Sequence, residues 1–305
     1  MARQHILVAI DLAVSEQKVL KRALDLARSQ GALLTILHVV EECSNIPEEL
    51  QDDVRSAHAL MLESARSKFD QAIIDCEPGH LEWHSYVESG SPFSKILALA
   101  EEIKADLIIL GANRRRSWRD KILGSTADRV VRSASVPVLI VKRTFAAQYR
   151  RTVAALDLSP ASRFVAGVAC SYFWNGLQLV HVVQVPLTFE QAMLRSGEWH
   201  KLTSYREYLV KRAKEKLREF ALQCAGSRKP PAIRVIKGAP VEVLLRLSRV
   251  RNLDLIVIGP HGHGLVVRAL LGSVTLRLLR EAACDVLVVP APAGMERYRD
   301  SALLG

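Results

Sequence analysis

The segment best suited to chemistry is a glycine-rich stretch made of Gly259, Pro260, His261, Gly262, His263 and Gly264. It follows the apolar run LIVI and leads to Gly272 and Ser273, where a helical pattern begins. Glycines let the backbone approach a ligand closely, and the amides at a helix start, with the Ser273 hydroxyl, suit a phosphate group. The stretch is neither a P-loop, which needs G-K-[ST], nor the G-x-G-x-x-G of dinucleotide-binding folds. Glycine is also common in ordinary turns. The residues alone are therefore compatible with two interpretations, a phosphate-binding loop and a simple turn.

Residue types typical of enzymes or metal centres form no comparable pattern. The chain has no G-x-S-x-G motif, and nothing identifies a general base. His80, Glu82 and His84 look like metal ligands, but strand positions four apart are separated by ~13 Å, which favours an exposed strand face. His261 and His263 lack further ligands at a suitable spacing. The sequence therefore predicts no protein-bound transition metal and no efficient catalysis.

The five cysteines are scattered and include no C-x-x-C pair, which argues against a disulfide framework or a thiolate zinc site. Cys284 lies against an apolar segment and is expected in the core. The first residues enter an apolar strand pattern without the features of a signal peptide. No apolar run approaches the roughly 18 residues that a membrane span needs. These features predict a cytoplasmic location.

The chain consists of two similar halves. Residues 105–131 align without gaps with residues 253–279, at an offset of 148 positions. Similar segments recur in the same order over nearly the whole length, which indicates a duplicated domain. We predict domain 1 at residues 1–146 and domain 2 at residues 147–305.

Each half alternates strand patterns with helix patterns. Runs such as LIIL, LIVI, VLIV and VLVV are continuously apolar, as expected for strands that are covered on both faces of a parallel sheet. In the first half we predict strands at 6–10, 33–39, 81–87, 107–110 and 137–141, and helices at 15–30, within 48–75, at 92–104 and at 125–134. In the second half we predict strands at 152–156, 177–183, 232–237, 254–258 and 285–289, and helices at 161–174, 190–224, 240–251 and 273–282. In such α/β folds, ligands bind beyond the carboxyl ends of the strands.

The glycine-rich stretch carries a family resemblance. It fits the spacing G-x2-G-x9-G-[ST] at Gly259, Gly262, Gly272 and Ser273. This resembles the ATP-binding signature of the universal stress protein family, as do Asp157 at the end of the first strand and the H-V-V that ends the second. The resemblance covers both halves. It implies an α/β fold of two tandem doubly wound five-stranded parallel-sheet domains, of the adenine nucleotide alpha hydrolase-like type, with the first and fourth strands adjacent.

Carried over residue by residue, the resemblance implies an ATP site in domain 2. Asp157 would meet the ribose or the adenine, and the backbone at Val182 would read the adenine edge. The residues implied to hold the ribose and the phosphates are Gly259, Gly262, Gly272, Ser273 and Val274, with His261 able to reach the phosphates. The implied ligand is ATP, or ADP or AMP, accompanied by Mg²⁺ that binds mainly through the phosphates. Asp157 could instead organise the turn at Ser159-Pro160, although Asp11 recurs in domain 1 without that pair, which favours a ligand role.

Domain 1 departs from this pattern. It keeps Gly111, the Gly124-Ser125-Thr126 segment and His38-Val39, but Arg114 stands where the second glycine should be. Arg114 and the arginines near it could clamp an anion. A solvated basic loop in a degenerate copy is the favoured alternative. We therefore predict that ATP or ADP binds domain 2, and binds domain 1 weakly or not at all.

Positive charge distinguishes the two halves. The chain carries a net charge of +10, but residues 1–146 sum to −1 and residues 147–305 to +11. Residues 201–218 hold seven basic and two acidic side chains, on a helix with a predicted apolar stripe at Tyr205, Leu209, Ala213, Leu217 and Phe220. A solvated face is the favoured interpretation, and a docking surface for an acidic partner, an anionic lipid or nucleic acid is the alternative. Nucleic acid is not favoured, because no known nucleic-acid-binding motif accompanies the charge.

The leading hypothesis is a cytoplasmic stress-response protein in which ATP bound to domain 2 acts in a regulatory or sensor module, with domain 1 as scaffold. An interaction scaffold that uses the basic face without nucleotide, and a slow ATPase, are the alternatives. Members of the family pair through their last strands, so the resemblance implies pairing of Val138–Val141 with Val286–Val289 within the chain. A homodimer and a protein partner are further expectations.

Overall fold

A computed structural model describes residues 3–12, 17–42, 47, 50–112, 123–143, 148–250, 253–260 and 271–291 of the 305-residue chain. The chain divides into two compact units, Met1–Gln148 and Tyr149–Gly305. The described part of each unit is an α/β domain built on a parallel sheet.

The first unit places its first strand in the middle of the sheet. Its elements are β1 (His5–Ala9), α1 (Gln17–Gln30), β2 (Leu33–Val40), α2 (Gln51–Ile74), β3 (Trp83–Ser89), α3 (Pro92–Glu102), β4 (Leu107–Gly111), α4 (Ser125–Ser133) and β5 (Val138–Val141). The strands lie in the order β3-β2-β1-β4-β5, and each neighbouring pair is parallel. The chain therefore builds one side of the sheet from β1 to β3, and then crosses over to build the other.

The second unit repeats this topology. Its elements are β6 (Thr152–Ala155), α5 (Ser162–Tyr172), β7 (Leu177–Val183), α6 (Leu187–Arg195), α7 (Trp199–Ala225), β8 (Ala232–Lys237), α8 (Pro240–Ser248), β9 (Leu255–Ile258), α9 (Ser273–Glu281) and β10 (Asp285–Val288). The parallel order β8-β7-β6-β9-β10 matches that of the first unit strand for strand. The duplication read from the sequence is thus a duplication of a doubly wound sheet.

Burial explains why these segments form these elements. Every residue of β5, β9 and β10 is buried, which confirms that the continuous apolar runs are strands covered on both faces. Helix α1 was predicted at 15–30, and it buries a stripe of apolar side chains at helical spacing: Val19, Leu20, Ala23, Leu24, Leu26 and Ala27. Cys284 is fully buried, which confirms its placement in the core. Within the described residues, no helix combines the length and the apolarity needed to cross a bilayer.

One predicted helix is wrong in extent. The pattern at 190–224 predicts a single helix, but the structure has α6 and α7, which are separated at Gly197 with φ +73°. A left-handed residue ends a helix, and glycine adopts that conformation without steric cost. The predicted stripe is also wrong at Tyr205, which is exposed and contacts the ring of Phe189 with 5.3 Å between centroids. The buried side of α7 is formed by Leu202, Ala213, Leu217, Phe220, Ala221 and Ala225.

Candidate functional site

The second unit has a crevice where its strand order reverses. Strand β6 lies between β7 and β9, with Ala155 in register with both Val180 and Ile258. The chain leaves β6 toward β7 on one side and returns as β9 on the other, which makes the β6–β9 boundary the topological switch point. Ligands of doubly wound sheets bind at this position, beyond the carboxyl ends of the strands.

Three of the predicted site residues meet at this edge of the sheet. Asp157 follows β6 by two residues, Gly259 follows β9 directly, and Val182 lies near the end of β7. All three are partly accessible to solvent. The parallel register brings together residues that are more than 20 positions apart in the chain, so the sheet itself assembles this part of the candidate site.

A histidine joins the first two strands of each unit at the same place. Nδ1 of His181 lies 2.7 Å from the carbonyl oxygen of Leu156, and Nδ1 of His38 lies 2.9 Å from that of Ile10. A carbonyl oxygen only accepts, so Nδ1 carries the proton and donates in both units. In the sequence, this histidine is recognisable only as part of the H-V-V family motif. Its structural role is to hold the end of the first strand against the second, beside Val182 in the second unit.

The carboxylate of Asp157 organises the turn that follows β6. Its Oδ1 accepts hydrogen bonds from the Ser159 amide at 3.0 Å, the Ser159 hydroxyl at 2.6 Å and the Ser162 hydroxyl at 2.6 Å. Leu158, between them, has φ +65°, a conformation that costs a non-glycine residue about 1–2 kcal/mol. The turn-organising alternative for Asp157 is therefore observed. The ligand role of Asp157 remains a prediction. The same hydrogen bonds would hold the carboxylate in position to contact a ligand.

The ends of the glycine-rich loop are tied together at its base. The amide of Gly272 donates to the carbonyl oxygen of Pro260 at 2.8 Å, and the Thr275 hydroxyl donates to the carbonyl oxygen of Gly259 at 2.8 Å. Sequence reasoning missed Thr275. The available signal was the contrast with Ala127, which occupies the aligned position in the first unit and has no hydroxyl.

The start of α9 points a set of amides toward the loop. Gly272 is the N-cap at φ −61° and ψ 151°, and its carbonyl accepts the first helical bond from Leu276. The first amides of a helix have no acceptor within the helix. Ser273 is exposed and Val274 is half-buried, so this helix start can present both to a ligand. The amide of Gly272 differs from them, because it is engaged within the base of the loop.

Two predicted site residues, His261 and Gly262, lie outside the described residues, as do Arg114, Arg115, Arg116 and Arg119 of the first unit. Their assigned roles stay predictions.

The residues that look like metal ligands, His80, Glu82 and His84, lie at an exposed edge of the first unit. Glu82 and His84 are exposed, and Glu82 forms an ion pair with Arg3, which lowers the pKa of that carboxyl. His80 lies before β3 begins. In the part of the chain that the structure describes, no three His, Cys, Asp or Glu side chains converge at ligand distance.

Comparison with known proteins agrees with the duplicated fold. The family model described as the universal stress protein family matches residues 2–142 and again residues 148–290. Universal stress protein A homolog 1 of Coxiella burnetii is 27% identical over 154 residues, covering 46% of this chain and 97% of the relative. The universal stress protein YxiE of Bacillus subtilis is 30% identical over 150 residues, covering 45% and 97%. Each of these relatives is therefore about the size of one unit.

Solved structures of two-unit length share the fold. A universal stress protein from Archaeoglobus fulgidus superposes with a TM-score of 0.64 at 20% identity, covering 94% of this chain and 98% of that chain. A protein of unknown function from Pseudomonas aeruginosa superposes with a TM-score of 0.66 at 18% identity, covering 100% and 98%. Together with the two family matches, the repeated parallel sheet leads to one conclusion: the chain belongs to the universal stress protein family and carries two of its domains in tandem.

Proposed function

We propose that the second unit binds an adenine nucleotide, with ATP as the leading ligand, in the crevice between β6 and β9, and that this binding serves a regulatory or sensor module. The observation that carries the proposal is the convergence of Asp157, Val182 and Gly259 at the switch point, next to the start of α9. Membership of the universal stress protein family supports it.

The donors and acceptors at the crevice fit the parts of a nucleotide. The backbone at Val182 would pair with the adenine edge, and the Asp157 carboxylate would accept from a ribose hydroxyl. The amides of Ser273 and Val274, the Ser273 hydroxyl and the loop from Gly259 would hold the phosphates, because a helix start favours anions. His261, Gly262 and Gly272 complete the assigned set. Mg²⁺ would bind mainly through the phosphates and neutralise part of their charge.

The residues assigned to the crevice are better suited to holding ATP than to hydrolysing it rapidly. Hydrolysis needs a base that positions and deprotonates water within hydrogen-bond reach of the phosphate. Oδ1 of Asp157, the carboxylate assigned to the crevice, already accepts hydrogen bonds from three donors. We therefore propose that bound ATP changes the surface that the crevice offers to a protein partner, and that any hydrolysis of ATP is slow.

The matched glycines at the two helix starts provide a controlled test. Gly272 and Gly124 are N-caps with nearly the same backbone, at φ −61° and ψ 151° against φ −57° and ψ 144°. Calorimetry should give one ATP per wild-type chain. Gly272→Val should abolish binding, because its side chain enters the loop base, and Gly124→Val should leave binding unchanged. Circular dichroism checks that both variants fold.

Two outcomes would contradict the proposal. Two equal ATP sites per chain would remove the asymmetry between the units, and an empty crevice in freshly purified protein with no binding of added ATP would favour the nucleotide-free scaffold. Phosphate release at many turnovers per minute would favour the ATPase alternative.

Location and assembly are parts of the same proposal. The described cysteines Cys76, Cys170, Cys224 and Cys284 are free thiols, which suits the reducing cytoplasm. A homodimer remains a proposal that sedimentation of the purified protein tests directly.

A further inference from the structure

Helix α7 and the end of strand β8 form a groove of about 290 Å³. Three of its basic side chains, Lys211, Lys214 and Arg218, come from α7, and the fourth, Lys237, is the last residue of β8. Two carboxylates, Glu207 and Glu215, also line it. We refer to this feature as the basic groove.

The helical spacing places the cations of α7 side by side. Residues three, four and seven apart lie on one face of a helix, and neighbours along such a face are about 5–6 Å apart. Lys211, Lys214 and Arg218 have this spacing. Lys237 approaches the same face from the strand, so four positive groups surround one space from two directions.

These four cations are only partly offset by the two carboxylates of the groove. Within the described residues, none of Lys211, Lys214, Arg218 and Lys237 forms an ion pair, although Glu207 and Glu215 line the same groove. Elsewhere on α7, three other cations are paired: Lys201 with Glu198, Arg206 with Glu190 and Lys216 with Glu219. Among the described cations of α7 without an ion pair, Lys211, Lys214 and Arg218 therefore line the groove, whereas Arg212 does not.

The fold does not require this charge, because the first unit lacks it. The strand residue that corresponds to Lys237 is Ser89, which is likewise the last residue of its strand and precedes a glycine at positive φ. Ser89 donates to Glu42 and lies 2.6 Å from Nε2 of His58. Helix α2 carries three basic and four acidic side chains and has no basic stripe. The basic groove is thus a property of the second unit alone.

We propose that the basic groove binds a soluble oligophosphate, a small molecule with two or more linked phosphate groups. Lys and Arg are the side chains that pair with phosphate oxygens, and several cations around one space suit several linked phosphates. The volume of about 290 Å³ is just below the range for small-molecule sites, which is about 300–1,000 Å³, so it suits a small ligand. The lining holds four cations and two carboxylates, so its net positive charge is small. A small positive charge in a small space suits a compact ligand better than a long nucleic acid strand.

The test uses inorganic tripolyphosphate as the probe, with binding measured by calorimetry on the full chain. In the groove variant, Lys211→Gln, Lys214→Gln and Lys237→Gln are combined. In the control, Lys201→Gln, Arg206→Gln and Lys216→Gln remove three cations that are ion-paired outside the groove. We expect the groove variant to bind at least about tenfold more weakly than wild type, and the control to change by no more than about twofold. Raising salt from about 50 to 200 mM should weaken wild-type binding more steeply than binding by the groove variant.

A third arm separates the groove from the crevice. Gly272→Val should retain tripolyphosphate binding, whereas loss in Gly272→Val with retention in the groove variant would assign the phosphate to the crevice and overturn this proposal. Equal losses of tripolyphosphate affinity in the groove variant and the control would also overturn the proposal, because they would show nonspecific attraction between charges. Tighter binding of a single-stranded RNA oligonucleotide than of tripolyphosphate would identify a nucleic acid surface instead. Changing Lys211, Lys214 and Lys237 to Arg conserves the charge and should preserve binding. If the triple Gln variant does not fold, the single variant Lys237→Gln replaces it and should weaken tripolyphosphate binding.

Discussion

The hydroxyl of Thr275 donates to the carbonyl oxygen of Gly259 at 2.8 Å, across the base of the loop that joins β9 to α9. Together with the bond from the Gly272 amide to Pro260, it closes the loop between two ordered elements. The two ends of the loop are therefore held at a set distance, whatever conformation lies between them.

Thr275→Val should loosen this loop without changing the size of the side chain. The variant loses one hydrogen bond and leaves a buried methyl beside a carbonyl oxygen, at a cost of about 1 kcal/mol in the free energy of unfolding. We expect ATP affinity to fall about fivefold, measured by calorimetry beside a urea denaturation series. The control is Ala127→Ser at the aligned position of the first unit, which should not alter affinity. Wild-type affinity in Thr275→Val would show that the loop base plays no part in binding.

Asp157 and Ser162 separate turn formation from ligand binding. Asp157→Asn keeps a side-chain oxygen that can accept from Ser159 and Ser162, but it removes the negative charge that a ribose hydroxyl would meet. We expect ATP affinity to fall about tenfold, with a small change in stability, because hydrogen bonds to charged groups contribute about 1.5–3 kcal/mol. Ser162→Ala should do the reverse, with about 1 kcal/mol less stability and nearly unchanged affinity. If Asp157→Asn binds ATP like wild type, the carboxylate only organises the turn.

The two equivalent histidines offer an internal comparison. His181→Phe and His38→Phe each remove the donor to the end of the first strand, so each should lower the free energy of unfolding by about 1 kcal/mol. Only His181→Phe should reduce ATP affinity, since only the second unit is proposed to bind. An asparagine at position 181 still offers an N–H donor and should restore part of the loss. Equal effects of both substitutions on ATP binding would contradict the asymmetry.

Among the described glycines at positive φ, Gly176 has the least room for a side chain. A Cβ at this position would lie 1.7 Å from the carbonyl oxygen of Arg150, and φ is +77°. Because backbone atoms cannot move aside cheaply, Gly176→Ala should cost about 3 kcal/mol or more. Gly31, in the turn before β2, has φ +60° but no atom within 4 Å of such a Cβ, so Gly31→Ala should cost only about 1–2 kcal/mol. Urea denaturation of both variants measures the difference, and similar losses would refute the close contact.

His5 gives the first unit a pH dependence. Burial, as the largest effect, lowers the pKa of His5 below its ordinary value of 6.5. The unfolded chain then binds the proton more readily than the folded chain, so this contribution to stability is lost as the pH falls below 6.5. His5→Gln should therefore show a smaller decrease in the free energy of unfolding between neutral and mildly acidic pH than wild type. Parallel pH profiles of the two proteins would contradict the prediction.

Local and periodic features could be predicted from the sequence. These features are the buried runs of β9 and β10, the apolar stripe of α1 and the duplication. All of them depend only on the spacing of residue types along the chain, which the sequence gives directly. The boundary between α6 and α7 was not predicted, although Ser196 and Gly197 interrupt the apolar pattern, because a single glycine within a helical pattern is also tolerated. The prediction that Tyr205 is buried is wrong because its ring contacts Phe189 of α6 and remains exposed.

For the candidate site, Asp157 and Gly259 were selected through the resemblance to the universal stress protein family, which their residue types and spacing carry. The roles of Thr275 and His181 were decided only in three dimensions, because each bonds to a main-chain carbonyl, which has no residue-specific signal in the sequence. The basic groove shows the same division. Three cations of one helix face follow from helical spacing alone, but Lys237 joins them only because the parallel sheet brings the end of β8 beside α7. Spacing along the chain thus determined the repeated elements, whereas the pairing of distant backbone and side-chain groups was decided by the tertiary structure.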